Sequence, residues 1–409
     1  MLHTEGTGLS LSLLFQAEYI ANPYPLYHQL RSTQPVYWDA GIDNWVLTRY
    51  DHVIAALQDP RLTSERVILD PEEFPEEIRK RVQPPLEALT KQMIFLDPPH
   101  HTRLRRLVAR AFTPRMVEHM RSHIQQCVDH LLDKVQEQGQ LEIIRDLAYP
   151  LPGLVIIEML GIPLEDRQQF MQWTDDYGSL LDGKIRTYKE LLRVLQSVSN
   201  LMDYFRKTIA LRRATPRDDL LQALITAEEQ GDVLSETELL ANCVLLLVTG
   251  HGTTTHLIGN GLLELLQHPD QLQQVRKNLS LVERVVQETL RHESPVQAAA
   301  RLAKEDLELG GQEIKAGQGV FMCLSAANRD PAYFSEPDRF DIYRSFNRHI
   351  AFGHGIHVCL GAALARIQGQ IALQTVLQRF PILQLETQEL EWERGLSVRG
   401  LKSLSIGIK

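Results

Sequence analysis

The sequence predicts a mostly α fold with a minor β part. Three observations carry this: apolar residues recur at helical spacing through most of the chain, strand-type runs are short and gather near its two ends, and 409 residues with 44% hydrophobic content can bury a large core without disulfide or metal staples. Val36-Tyr37 and Trp45 to Leu47 flank an Asp39-Ala40-Gly41 turn and predict one hairpin; Leu307 to Leu309 meets Glu313-Ile314 across Gly310-Gly311 and predicts another. The small β-rich part is expected near 30–50, 296–320 and 382–409. Helical spacing runs over about 98–112, 115–138, 164–181, 186–213, 234–267, 281–292 and 360–379. Pro98, Pro99 and Pro114 stand where helices start, and Gly183, Gly231 and Pro269 where they stop or break.

No repeat, long charge run or Gly/Ser linker marks a boundary, so a single domain over 1–409 is expected. A net charge of −9 argues against nucleic acid, because phosphate binding needs a basic footprint. Cys127, Cys243, Cys323 and Cys359 are far apart and form no CxxC pair, so neither a disulfide framework nor a zinc ribbon is indicated, and a reducing, cytoplasmic setting fits. Leu9 to Phe15 is too short and too broken by Ser for a signal sequence or a span. A soluble monomer with no membrane contact is expected.

Leu239 to Val248 is apolar nearly all round, interrupted by Asn242, as suits a helix buried through a large core. The next stretch, Thr249-Gly250-His251-Gly252-Thr253-Thr254-Thr255, is poor helix former: Gly costs about 1 kcal/mol against Ala, and Thr hydroxyls compete for backbone carbonyls. Close helix packing explains it, and so does a distorted turn facing a ligand. Near the C-terminus, small residues from His349 to Val358 feed a helix with Cys359 at its start, where the helix dipole and unpaired N–H groups favour anionic sulfur and lower the thiol pKa. A zinc reading of His354, His357 and Cys359 lacks a second ligand pair.

Phe352-x-x-Gly355-x-x-x-Cys359-x-Gly361 resembles the cysteine-ligand loop of the cytochrome P450 haem-thiolate monooxygenases. Glu288-Thr289-Leu290-Arg291 resembles that family's E-x-x-R pair, and Pro337-Asp338-Arg339-Phe340 the segment that adds a further Arg to it. Leu96 to Arg106, with His101 and Arg105, resembles its H-x-x-x-R helix. The resemblance runs from Asn22-Pro23-Tyr24 through Asn328-Arg329-Asp330-Pro331 to Arg399-Gly400-Leu401 and looks like a soluble bacterial type.

What the resemblance implies is a triangular, mostly helical cytochrome P450 fold enclosing haem b. Cys359 would be the axial ligand, pushing electron density onto iron. His101, Arg105, Arg301 and His357 would bind the propionates, with Phe352 and Gly361 close to the sulfur and the macrocycle. Glu288, Arg291 and Arg339 would brace the cysteine loop. Arg103, Arg106 and Arg110, on the opposite side of their helix from His101 and Arg105, suit an acidic electron-transfer partner. The reaction implied is insertion of one oxygen atom into an apolar small molecule, with electrons from a separate ferredoxin or flavodoxin and its NAD(P)H-dependent reductase. Residues 62–95, 170–190, Val244 to Gly250, Val296 to Ala300 and Leu401 would line the pocket, where Ala298, Ala299 and Ala300 leave room for a bulky ligand or pack closely.

One position departs from the pattern. The family's distal helix reads small-Gly-x-acid-Thr, whereas this chain places Gly252 at the acid and keeps the hydroxyl at Thr253. An acid beside a hydroxyl normally relays protons from solvent. His251, about 100° away on the helix, is no substitute. Water or a substrate hydroxyl supplies the relay, the enzyme works as a peroxygenase or isomerase, or the glycine is an engineered change. A haem-based binder or sensor is the non-enzymatic alternative.

Overall fold

The computed structural model describes residues 9–66, 72, 74–135, 139–185, 187–229, 234–386 and 389–408. The expected stop at Gly231 and the helix end at 136–138 lie outside the described residues. Helices dominate, and their starts follow local chemistry. Thr113 accepts from the Met116 N–H ahead of Pro114–Asp133; Thr187 with Glu190 and Ser235 with Glu238 form capping boxes that open Tyr188–Ala214 and Glu236–Thr249. The expected 234–267 helix is two: Glu236–Thr249 and Gly252–Gln267, parted at Gly250-His251. Thr249 and Thr253 hydroxyls turn back onto the Leu245 and Thr249 carbonyls, which adds to the weak propensity of the glycines at that break.

Several helices were not foreseen. Glu76–Thr90, inside the 62–95 stretch read as a loop, carries Pro84 and Pro85 within it. Each proline removes a backbone donor, and burial of Val82, Pro85, Leu86 and Leu89 against the core outweighs that loss. Tyr24–Thr33, Tyr50–Gln58, Pro150–Met159, Leu220–Glu229 and Pro269–Lys277 are helical as well.

Both hairpins form as expected. Trp38 pairs with Trp45, and Glu308 with Glu313, the second turn resting on positive φ at Gly310 (58°) and Gly311 (78°). The first hairpin belongs to a five-stranded sheet ordered Val36–Asp39, Asn44–Leu47, Gly319–Cys323, Ala298–Ala303, Leu62–Thr63. Asn44–Leu47 runs parallel to Gly319–Cys323, whereas Ala298–Ala303 is antiparallel to it, which sets Arg301 opposite Val320.

Beneath the C-terminal segment lies a buried polar knot. Arg399 donates to Glu293 at 2.6 Å, Arg329 stacks on the Tyr24 ring at 3.3 Å, and Asn260 donates to the carbonyls of Glu293 and Arg399. Beside it, burial pushes the Glu264 carboxyl up to about 8 from 4.5 and pulls His292 down to about 3 from 6.5. Glu264 therefore keeps its proton and donates to His292 Nδ1 at 2.6 Å. Between pH 6.5 and 8 the folded chain holds this proton and the unfolded chain does not, so stability falls as pH rises through that window. Glu264→Gln preserves the donor without titrating. Thermal melts should show a smaller loss from pH 6.5 to 8 in this variant than in the wild type; equal losses would contradict the assignment.

Candidate functional site

The cysteine loop is shaped by backbone. Gly353 and Gly355 both take φ of 72°, and a Cβ at Gly355 would stand 3.0 Å from the Leu57 carbonyl oxygen. Cys359 N–H donates to the Phe352 carbonyl at 2.9 Å, closing the loop. The helix starts two residues later than the sequence places it, at Ala362, with Gly361 as its N-cap. The Gly361 N–H and the guanidinium groups of Arg105 and Arg366 favour thiolate at Cys359, but burial outweighs them and the thiol pKa is raised, opposite to the sequence expectation. Its side chain nevertheless remains exposed. A thiol set in protein yet open to approach suits a metal ligand, because a coordinated cation deprotonates it outright. Arg366 lies 4.5 Å over the Phe352 ring, which fixes that side chain beside the loop.

Imidazoles and guanidinium groups collect nearby. His101 and His357 rings are 4.0 Å apart, and His357 Nε2 is 2.9 Å from Ser64 Oγ. Burial lowers both imidazole pKa values, His357 to about 3. Arg301 hydrogen-bonds the carbonyl of Ala300, and burial pulls its pKa to about 10. Arg105 donates to the Val358 carbonyl at 2.6 Å, so it reaches the cysteine loop itself. The sequence reading missed Arg66, whose charge helps to lower the Arg301 pKa and so lies near it.

On the opposite side of that helix the expected arginine face is divided: Arg106 and Arg110 are exposed, whereas Arg103 pairs with Glu238 at the start of the Glu236–Thr249 helix. The bracing cluster also differs. Arg291 grips Glu288 through two bonds of 2.9 and 2.7 Å, but the third charge is Arg344, 3.2 Å from Glu288. Arg339 points outward to Glu336 and contributes only its carbonyl, which both Arg291 and Arg344 hold. Proximity in sequence to the E-x-x-R pair suggested Arg339; the turn at 341–344 brings Arg344 back instead.

At the distal break, His251 is buried and turned away, its Nε2 2.9 Å from the Tyr149 carbonyl and its Nδ1 3.9 Å from Asp175. A Cβ placed on Gly252 would meet nothing within 4 Å. Thr253 donates to the Thr249 carbonyl at 3.2 Å.

This donor set fits an iron-porphyrin dicarboxylate. One approachable thiol, enclosed guanidinium groups with few anionic partners, the unpartnered Nδ1 of His101 and Nε of Arg366, and glycines fronting open space at 252 and 361 are what sulfur, propionates and a flat ring require. Among the described residues no cluster of three His, Cys, Asp or Glu could hold a metal by itself.

Such a site and fold define a haem-thiolate oxygenase. The family model for cytochrome P450 matches residues 43–402, and the chain belongs to that family. It is 40% identical over 392 residues to the biotin biosynthesis cytochrome P450 of Bacillus subtilis, covering 95% of this chain and 97% of that protein. Among solved structures it resembles P450BioI in complex with hexadec-9Z-enoic acid ligated acyl carrier protein, with a TM-score of 0.88, 39% identity and coverage of 96% and 100%. It also resembles myxobacterial CYP267B1 in complex with myristic acid, with a TM-score of 0.87, 41% identity and coverage of 97% and 98%. The protein is accordingly an oxidoreductase of the P450 monooxygenase class with a cysteine-ligated haem b, a redox partner and a small-molecule substrate. Among the described residues no helix is long and apolar enough to cross a membrane.

Proposed function

We propose that Cys359 is the axial ligand, that His101, Arg105, Arg301 and His357 hold the propionates, and that the whole chain works as one catalytic unit. The closed loop that presents the Cys359 sulfur is the observation that carries this reading. Bound there, the haem supplies the redox iron at which dioxygen is reduced and one oxygen atom is passed to substrate. The substrate is an apolar small molecule. The acyl groups held by P450BioI and CYP267B1 support a long acyl chain as its form. Electrons would arrive from a separate ferredoxin or flavodoxin with its NAD(P)H-dependent reductase, docked on the side of the His100–Ala111 helix where Arg106 and Arg110 are exposed.

Thr253 keeps a hydroxyl that can move a proton once it releases the Thr249 carbonyl. Gly252 contributes no acid, and the space along its Cβ direction admits water or a substrate hydroxyl to complete the relay. The same space admits a carboxylate. Gly252→Glu should therefore fold like wild type and raise the coupling of reductant to product severalfold. Unchanged coupling and unchanged proton-dependent kinetics would overturn the relay account. Gly252 also favours a second reading, a haem-thiolate peroxygenase or isomerase. Turnover with hydrogen peroxide and none with ferredoxin, reductase and NADPH would select it.

A further inference from the structure

Arg66 has no place in the propionate set just assigned. Its Nε is buried without a hydrogen-bond partner, its guanidinium lies 5.2 Å from the Phe95 ring, and burial lowers its pKa with the Tyr177 hydroxyl as the offsetting group. Among the described residues no carboxylate meets it. Asp97, a described acid whose charge reaches Arg301, is taken by the Ser64 N–H at 3.0 Å and Lys304 at 3.5 Å. A guanidinium whose Nε is buried and unpartnered, with no carboxylate beside it among the described residues, is costly to keep, and its retention points to an anion that arrives with a ligand.

Counting charges separates that anion from the haem. Two propionates would carry two negative charges, and on the assignment proposed above Arg105 and Arg301 with the two imidazoles would hold them. Arg66 is one cation beyond this, and its neighbours are the Phe95 ring and the Tyr177 hydroxyl. Tyr177, on the Arg167–Leu181 helix, donates to Gln92 Oε1, leaving Gln92 Nε2 buried and unpartnered beside it. Met93 N–H and the Lys91 carbonyl bond to Asn242, which fixes this stretch on the distal helix. A planar guanidinium over the Phe95 ring and an amide NH2, each with a buried unpartnered nitrogen, can serve as donors to a carboxylate.

We propose that Arg66, assisted by Gln92, binds the carboxylate head of a long-chain acyl substrate. This rests on the oxygenase reading above and adds to it the polarity and orientation of the substrate: acid at Arg66, hydrocarbon toward Cys359 and the distal break.

The test titrates the ferric holoenzyme with tetradecanoic acid and with 1-tetradecanol, following the spin state, in wild type, Arg66→Met and Arg66→Lys. Wild type should bind the acid about tenfold tighter than the alcohol, Arg66→Met should lose that preference with alcohol binding unchanged, and Arg66→Lys should keep part of it. Haem transfer to apomyoglobin, measured on the same variants, should be unaffected. An acid preference that survives in Arg66→Met, equal losses for acid and alcohol, or no acid binding by wild type would each overturn the proposal. So would faster haem loss in Arg66→Met, which would make Arg66 a propionate donor. In all of these the oxygenase reading stands so long as the carbon monoxide spectrum and turnover of other apolar ligands persist.

Discussion

Cys359→Ser is expected to abolish the thiolate-type band of the reduced carbon monoxide complex and to bring substrate oxidation down to background, while leaving the fold intact. The loop does not depend on sulfur for its shape: the bond that closes it runs from the backbone N–H of residue 359 to the Phe352 carbonyl, and Gly353 and Gly355 supply the left-handed turns. Serine keeps all of these. What it loses is a group that a bound cation can deprotonate and that donates electron density to iron. The other cysteines serve as controls. Burial raises the Cys243 and Cys323 thiols, both enclosed in the core, and pushes Cys127 up to about 11, so each is an inert thiol. Cys127→Ser should leave the spectrum unchanged. A thiolate band that persists in Cys359→Ser would end the assignment.

The residues that were legible in the sequence are those whose role is set within a few positions. The cysteine loop is local, its glycines required by positive φ and close backbone approach, and the spacing from Phe352 to Gly361 is preserved in the structure. Both hairpins are legible because their turns carry glycine or Asx-type residues. The stretch around Gly252 could be read as a poor helix former because propensity is a local quantity, although that it parts the expected helix in two, at Gly250-His251, came only with the structure. Residues decided by distant neighbours were misread. Proline content concealed the Glu76–Thr90 helix, since the packing that sustains it lies elsewhere in the chain. The sign of the Cys359 shift depends on how much protein surrounds the thiol, which a helix-end argument does not include. Arg66 escaped because an arginine in sequence looks like a surface charge, and only its enclosure makes it conspicuous.

The bracing cluster gives the second large effect, and it discriminates between the two candidate arginines. Glu288 accepts from Arg291 twice, from Arg344, from Asn347 at 3.0 Å and from the Asp341 N–H at 2.9 Å, and both Glu288 and Arg291 are fully buried. Arg291 further holds the carbonyls of Asn328, Pro337 and Arg339. Removing the carboxylate strands two buried guanidinium groups, a loss of about 3–5 kcal/mol when one partner of a buried pair is taken away. Glu288→Ala should therefore lower the denaturation midpoint sharply and yield protein poor in haem, because the segment it anchors, 337–347, leads directly into the cysteine loop. Arg344→Ala leaves the Glu288–Arg291 pair in place, opens the Ser335 and Glu336 carbonyls to water and leaves the Arg339 carbonyl to Arg291 alone, so the loss is mainly that of its bond to Glu288 and should be about 1–2 kcal/mol. Arg339→Ala removes an exposed side chain paired with an exposed Glu336 and should fall within about 0.5 kcal/mol of wild type. Urea unfolding of the three holoproteins checks the order. If Arg339→Ala proved as damaging as Arg344→Ala, the charge that completes the brace would be the one named by the sequence motif and not the one the fold brings to Glu288.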